Sequence, residues 1–212
     1  MAVYNHRMSR QRSIPDSEVL TAAGRVILRI GPTGFRLADI SKETGLAPAT
    51  LLQRFGSKRG LLLALTRVNE KGTDECFAQI RAKHSSPLAG LAAVVEALTS
   101  YAETPEAMAN SLAFLQIHLT DRDFHRSAVL SARAITTGIQ ALLDEAVAAR
   151  ELVRCDTESL ARLIDGVRYG SMLTWAIHRE GSITDWLRRD VQALLRPLRA
   201  SPRRGKKRKT RN

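Results

Sequence analysis

Residues 36–58, RLADISKETGLAPATLLQRFGSK, contain the pattern that decides the fold of this chain. Apolar residues recur at helical spacing on both sides of Gly45, which predicts two short helices joined by a tight turn. Glycine suits such a turn because it adopts a left-handed backbone at little energetic cost. We expect Thr50, Gln53 and Arg54 to point outward together from the second helix, as in a helix-turn-helix that meets the DNA major groove.

The net charge of +12 is concentrated at the two ends of the chain. Residues 1–60 carry ten Lys/Arg and four Asp/Glu, whereas residues 61–200 carry sixteen and seventeen. Residues 201–212 carry seven basic residues and no acidic residue. Basic ends suit contact with phosphate, and a neutral middle argues against a protein that only coats nucleic acid. This distribution predicts a DNA-binding head, a neutral body and a basic tail.

Composition argues against several other classes of protein. Hydrophobic residues make up 44% of the chain, enough for a core, and no run approaches the ~20 apolar residues of a membrane span. The N-terminus lacks the apolar segment of a secretory signal, so we expect a cytoplasmic protein. Cys76 and Cys155 are the only cysteines and lie far apart, which favours reduced thiols.

Neither a metal site nor a catalytic site is indicated. His118 and His125 lie seven residues apart, but no carboxylate or cysteine completes a set of ligands around them. The sequence contains no nucleophile elbow, P-loop or dinucleotide-binding glycine pattern. We therefore expect no metal, no cofactor and no enzymatic activity.

Helical periodicity recurs almost from end to end and predicts an all-α protein of about nine helices. Breaks are expected at Gly31-Pro32, 84–87 and Gly181-Ser182, and caps at Asp16 or Ser17, Ser57, Thr104, Asp121 and Asp156. Four parts are predicted. They are a basic arm (1–13), a helix-turn-helix DNA-binding domain (14–60), a helical ligand-binding and dimerisation domain (61–200) and a basic disordered tail (201–212).

A three-helix head, a linker helix and a helical body resemble the TetR family of transcriptional regulators. The resemblance is carried by AAGRVILRIG (22–31) and ADISKETGLAPATLLQRFGSKRGLL (38–62), and it extends to the body in layout only. Leu52 departs from the family pattern, which usually has a phosphate-binding tyrosine there. Arg54 and Arg59 also depart from it, and we expect their added positive charges to replace the missing hydroxyl.

The resemblance implies a homodimer that represses transcription from an operator and leaves the DNA when a small molecule enters the body. DNA contacts are expected from the recognition helix, the residues that flank it and the start of the first motif helix. These residues are Arg36, Pro48, Ala49, Thr50, Gln53, Arg54 and Lys58. The alternative for the charged members of the set is an ordinary solvated side chain.

The resemblance also implies that the last two helices pair with those of a second subunit as a four-helix bundle. The residues expected at that interface are Gly166, Gly170, Ser171, Leu187, Val191 and Leu194. The alternative is that the small residues pack within one subunit. Gln116, His118 and Trp175 are candidate effector-binding residues because they add polar atoms to apolar stripes, which favours an uncharged or weakly polar effector. The alternative for them is plain core.

Two other functions compete with that of a ligand-responsive regulator. An architectural protein would bind nucleic acid without sequence preference through its charged ends, and the neutral middle argues against it. A helical enzyme with a helix-turn-helix head is opposed by the lack of catalytic motifs. The basic tail either adds phosphate contacts without reading sequence or has no role in DNA binding.

Overall fold

The computed structural model describes residues 14–200, apart from the side chains at positions 70 and 71. That part of the chain forms nine α-helices, a 3-10 helix at Arg196–Leu198 and one isolated β-bridge between Leu152 and Arg199. The helices are α1 Asp16–Ile30, α2 Leu37–Thr44, α3 Pro48–Phe55, α4 Lys58–Lys83, α5 Pro87–Ala97, α6 Pro105–Thr120, α7 Arg122–Ala148, α8 Thr157–His178 and α9 Ile183–Leu195. The predicted basic arm and basic tail lie outside the described residues.

The prediction of an all-α fold is confirmed, and most helices begin where the sequence places a cap. The side chains of Ser57, Thr104, Asp121 and Asp156 each accept a backbone N–H at the start of α4, α6, α7 and α8. Such a bond satisfies one of the backbone donors that a helix N-terminus leaves without a partner.

The start of α1 differs from the prediction. α1 follows Pro15 and has no side-chain cap, so neither Asp16 nor Ser17 acts as one. α5 ends at Ala97, and the Thr99 hydroxyl just beyond it donates to the carbonyls of Val95 and Glu96. α9 ends at Leu195 and continues only as a 3-10 helix, since Pro197 has no N–H to donate to the preceding turn.

The N-terminal head has its own hydrophobic cluster, which α1, α2 and α3 build with the start of α4. Val19, Val26, Ile40, Leu51 and Leu61 are completely buried in it. Each fully buried aliphatic side chain of this size contributes about 1.5–3 kcal/mol. The cluster also contains α4 residues after position 60 and Phe124 of α7, so packing crosses the domain boundary predicted at residue 60.

The second hydrophobic cluster lies in the body, between α5, α7, α8 and α9. Its completely buried members are Leu91, Val94, Ala102, Ile139, Leu143, Ala146, Ile164 and Met172. No helix within residues 14–200 is long and apolar enough to cross a membrane.

Two glycines set the positions of α2, α3 and α4. Gly45 ends α2 in a left-handed conformation (φ 71°), and its N–H donates to the Ser41 carbonyl at 2.8 Å. Gly60 lies in the first turn of α4, where a Cβ atom would overlap with the carbonyl oxygen of Phe55 at the end of α3. The absence of a side chain at residue 60 therefore allows α4 to start directly beside α3.

We predict that Gly60→Ala lowers the free energy of unfolding by about 1–3 kcal/mol, because the added methyl group forces α3 and α4 apart. Gly72→Ala is the matched control, since it makes the same change in the same helix where a Cβ meets no atom within 4 Å. That variant should gain about 0.5–1 kcal/mol from the helix propensity of alanine. Urea unfolding measures both, and equal shifts in the two variants would contradict the proposed overlap.

Candidate nucleic-acid interface

The outward face of α3 consists of small, apolar and amide side chains. Pro48, Ala49, Leu52 and Gln53 are exposed, while Leu51 on the opposite side is completely buried. Leu52 is 49% exposed, although it is a large hydrophobic residue. Because α3 has no partner on this side within residues 14–200, its face can enter a DNA groove without any rearrangement of the head.

Contrary to the sequence-based expectation, Thr50 and Arg54 do not lie on this face with Gln53. Successive residues turn by about 100° around a helix axis, so Arg54 lies nearly opposite Leu52. Its Nη1 donates to the Ile14 carbonyl at 2.6 Å and lies 3.3 Å from Asp16 Oδ1, and only 25% of the side chain is exposed. Thr50 is half-buried at the edge of the face. Arg54 therefore braces the start of α1, and Thr50 can reach DNA only from that edge.

Lys58 is also committed within the head. Its Nζ donates to the carbonyls of Thr33 at 2.9 Å and Phe35 at 2.8 Å, and it lies 4.3 Å from the centre of the Phe35 ring. Burial lowers the pKa of Lys58. An ammonium group has three N–H donors, so one remains for a phosphate oxygen. Lys58 thus fixes the loop between α1 and α2.

Arg36 precedes α2, and its side chain is exposed. The backbone N–H of Arg36 donates to Asp39 Oδ2 at 2.8 Å, and this bond is the main cause that lowers the pKa of Asp39. The backbone is thereby fixed while the guanidinium group stays in solvent. This arrangement suits a phosphate contact at the entry of the motif.

Arg59 does not supply a free charge at this surface. Its Nη2 lies 2.9 Å from both carboxylate oxygens of Asp121 and 2.9 Å from Asp123 Oδ2, at the start of α7. The guanidinium also lies 5.5 Å from the centre of the Phe124 ring. These hydrogen bonds raise the pKa of Arg59 and lower that of Asp121. The expectation that Arg54 and Arg59 together replace the missing tyrosine hydroxyl is not supported, because both are engaged within the protein.

The candidate effector residues lie in three different environments. Gln116 is exposed on α6. His118 packs between Phe114 and Phe124, with ring centroids 4.5 and 5.9 Å away, in contact with the head cluster. Trp175 is 5% exposed in the body cluster. The structure does not bring Gln116, His118 and Trp175 together.

The polar atoms of His118 and Trp175 also differ in their partners. Trp175 Nε1 donates to the Gly181 carbonyl at 3.1 Å, so this indole already has its hydrogen bond. His118 Nε2 is buried and has no partner among residues 14–200. Burial lowers the pKa of His118, which keeps the imidazole neutral at pH 7.

A buried arginine in α8 was missed by the sequence reasoning. Arg168 is 2% exposed, and its Nε and Nη2 donate to Asp165 Oδ1 at 3.0 and 2.8 Å. Burial opposes its charge, but the neighbouring carboxylate and Tyr169 outweigh burial and raise the pKa of Arg168. The spacing of three residues between Asp165 and Arg168 is the sequence signal that could have revealed the pair.

The residues expected at the dimer interface fall into two groups. Leu187 and Val191 are 1% and 6% exposed within the body cluster, and Leu194 packs against it. The apolar side of α9 is therefore buried within a single chain. Ser171 is also buried, and its hydroxyl bonds to Asp190. Gly166 and Gly170 differ from these residues, because they are exposed and a Cβ at either position would meet nothing within 4 Å.

Comparison with known sequences identifies the head. Residues 19–65 match the profile of the bacterial regulatory proteins of the tetR family. The head thus resembles the DNA-binding part of the tetR family, and the profile match does not extend into the body. The match spans α1 to the second turn of α4, which is the part that forms the head cluster. None of the curated protein sequences matches the chain.

Solved structures of transcriptional regulators, two of them named as TetR-family proteins, share the fold of most of the chain. A regulator from Agrobacterium tumefaciens is 20% identical with a TM-score of 0.66, covering 87% of this chain and 97% of its own. One from Streptomyces coelicolor is 21% identical with a TM-score of 0.69, covering 89% and 100%. A regulator from Saccharomonospora viridis in complex with choline is 18% identical with a TM-score of 0.71, covering 88% and 98%. TetR-family proteins are transcription regulators rather than enzymes.

We predict that Gln53→Ala weakens binding to the preferred DNA site by about 1–3 kcal/mol, because an amide that pairs with a base contributes about that much discrimination. The unfolding free energy should stay within about 0.5 kcal/mol, since Gln53 is exposed. Gln192→Ala, an exposed glutamine on α9, is the matched control. Gel-shift titrations on selected and random DNA measure the effect, and unchanged discrimination by the Gln53 variant would exclude a base contact.

Proposed function

We propose that this chain is a homodimeric repressor of the TetR family that binds a palindromic operator and is released by a small-molecule effector. It would act in the cytoplasm, where bacterial DNA lies. The observation that carries the proposal is the exposed face of α3, held by a head whose neighbouring cations are already paired. No other described part of the chain covers this face, so it is free to contact DNA.

The side chains of that face favour direct reading of base edges. The Gln53 amide can donate to and accept from adenine, and the exposed Leu52 and the small Ala49 suit contact with a thymine methyl group. Arg36 and the remaining N–H of Lys58 would hold phosphates on either side. Few charges lie on α3 itself, so discrimination between sequences would depend on shape and hydrogen bonding more than on charge.

An apolar stripe on α8 supports the homodimer. Leu163, Leu173 and Ile177 are 56%, 44% and 71% exposed, and Gly166 and Gly170 lie between them. Positions 163, 166, 170, 173 and 177 alternate steps of three and four residues, which is the repeat by which two helices pack along a seam. A second α8 could approach closely at the glycines, as a two-fold interface requires. The interface we propose is therefore the α8 stripe, without Leu187 and Val191.

The effector is proposed to act where α6 meets the head. His118 is the only one of the three candidate residues that keeps a buried polar atom without a partner among residues 14–200. A ligand that hydrogen-bonds to this imidazole would gain a contact that the free protein lacks. The choline complex of the Saccharomonospora viridis regulator supports a small organic effector in this fold, without indicating which compound this chain binds.

We predict that Leu173→Glu breaks the dimer, because a carboxylate in the centre of the α8 seam would lose its hydration on association. Leu130→Glu on α7 is the matched control, since Leu130 is 45% exposed and Leu173 is 44% exposed. Light scattering should give twice the 23.4 kDa chain mass for the parent chain and the control, and the single mass for Leu173→Glu. A dimeric Leu173→Glu variant would place the interface elsewhere.

We also predict that selection from random DNA yields one palindromic site with half-sites about one helical turn apart, or slightly more. Footprinting of that site should show discrete protection that the effector removes. Even protection along any DNA would instead support the architectural alternative. An effector is recognised as a compound that both raises the melting temperature of the free protein and lowers its affinity for the site, because coupling between two ligands is reciprocal.

A further inference from the structure

Three arginines lie along one outward face at the start of α7. Arg122, Arg126 and Arg133 are exposed, and none of them forms an ion pair with a side chain that the structure describes. A helix turns by about 100° per residue, which places all three within an arc of ~40°. Phe124 and Leu142, which α7 buries in the two hydrophobic clusters, lie on the opposite side. The three arginines therefore point into solvent together.

These charges do not stabilise α7 itself. Arg122 and Arg126 are four residues apart, a spacing at which like charges repel each other along a helix. Arg122 also lies in the first turn, where a cation opposes the helix dipole. The acidic neighbours Asp121 and Asp123 are bonded to Arg59 instead. The face thus carries an electrostatic repulsion that an acidic occupant would relieve.

Apolar side chains lie between the arginines. Val129 is half-buried and Leu130 is 45% exposed, and with His125 and the arginines they line a shallow groove. An apolar centre with a charged rim is the usual arrangement of a protein–protein interface, where arginine is enriched. The DNA backbone would match only the rim, because its contacts with a protein are mainly electrostatic. The groove therefore fits a polypeptide better than it fits DNA.

A second copy of this chain does not match the face. Two such faces that met around a two-fold axis would place arginine against arginine. A contact with a different part of a second copy would be heterologous, and such contacts produce rings or open chains rather than a closed dimer. The α8 interface proposed above closes a dimer without α7.

We propose that residues 122–133 of α7 are a docking site for an acidic, amphipathic helix of a partner protein. The carboxylates of that helix would lie four and seven residues apart, which matches the spacing of Arg122, Arg126 and Arg133. Each guanidinium can form two hydrogen bonds with a carboxylate, and an apolar side chain of the partner would pack on Leu130. The contact covers only about three helical turns, so the complex would be transient. The proposal does not depend on operator binding.

The first test uses synthetic helical peptides of about 20 residues, labelled with a fluorophore. Two peptides carry Glu at the matching spacing, one for each relative direction of the helices, with leucines between the Glu residues. A scrambled peptide of the same composition is the control. Fluorescence anisotropy with the full chain should show that one matched peptide binds about tenfold more tightly than the scrambled one, because three exposed ion pairs together contribute about that factor.

The second test reverses one charge on the face. Arg126→Glu should weaken binding of the matched peptide about tenfold. Arg67→Glu is the matched control, since it makes the same change at an exposed arginine of α4 and should alter binding by less than about twofold. A peptide with Lys in place of the Glu that faces position 126 should restore binding to Arg126→Glu and bind the parent chain poorly. Melting curves of both variants check that they remain folded.

A third test addresses the apolar centre of the groove. Leu130→Ala should weaken binding of the matched peptide about threefold, because less apolar surface is removed from water. Leu112→Ala, at an exposed leucine on α6, is the control and should leave peptide binding unchanged.

Four outcomes would overturn the proposal. Equal binding of matched and scrambled peptides would reduce the face to general charge attraction. Failure of the Lys peptide to restore binding would exclude the proposed register. A loss of affinity in Arg126→Glu for random duplex DNA, or for vesicles of phosphatidylglycerol, as large as its loss for the peptide would assign the face to phosphate groups. Assembly of the parent chain beyond a dimer that Arg126→Glu abolishes would assign it to a second copy.

Discussion

The joint between head and body is the constraint on which the rest of the structure depends. A head of three short helices has little apolar surface to bury, and here it completes its core with Phe124 from α7 and with Phe114 and Ile117 from α6. Hydrogen bonds also stabilise this joint. Arg59 donates to two carboxylates at the start of α7, and Asn110 Nδ2 on α6 donates to the Leu28 carbonyl at 2.8 Å. The head therefore cannot turn without disturbing α6 and α7, so a ligand that displaces α6 would act directly on the position of α3.

The same packing determines how charge is distributed over the surface around α3. Arg25 and Arg29 pair with Glu43, and Arg54, Lys58 and Arg59 donate to groups within the protein. The head thus commits these five cations to contacts within the protein. Much of the net positive charge lies instead in residues 1–13 and 201–212.

Sequence reasoning succeeded where the signal was local. The starts of α4, α6, α7 and α8 follow from a single capping residue each, and the turn of the motif follows from Gly45. It failed where the answer depended on residues far along the chain. Nothing near Arg54 indicates that its partner is Ile14, forty positions away, and nothing near Arg59 indicates Asp121. Likewise, periodicity predicts an apolar stripe on both α8 and α9. Only the packing shows that α9 buries its stripe in the body cluster, whereas α8 leaves Leu173 and Ile177 exposed.

These arrangements connect dimerisation to operator choice. If the α8 stripe joins two subunits, two contacts together set the distance between their α3 helices. These contacts are the α8 interface and the joint around Phe124 between the head and body of each subunit. The glycines at 166 and 170 permit a close, well-defined approach, so little freedom remains in the first contact. The joint differs from the seam because it contains polar groups. These are a buried imidazole nitrogen without a partner among residues 14–200 and half-exposed ion pairs. Exposed ion pairs contribute little to stability, so the packing around Phe124 holds most of the joint. The spacing of the half-sites would thus be fixed by α8, and its regulation would take place at α6.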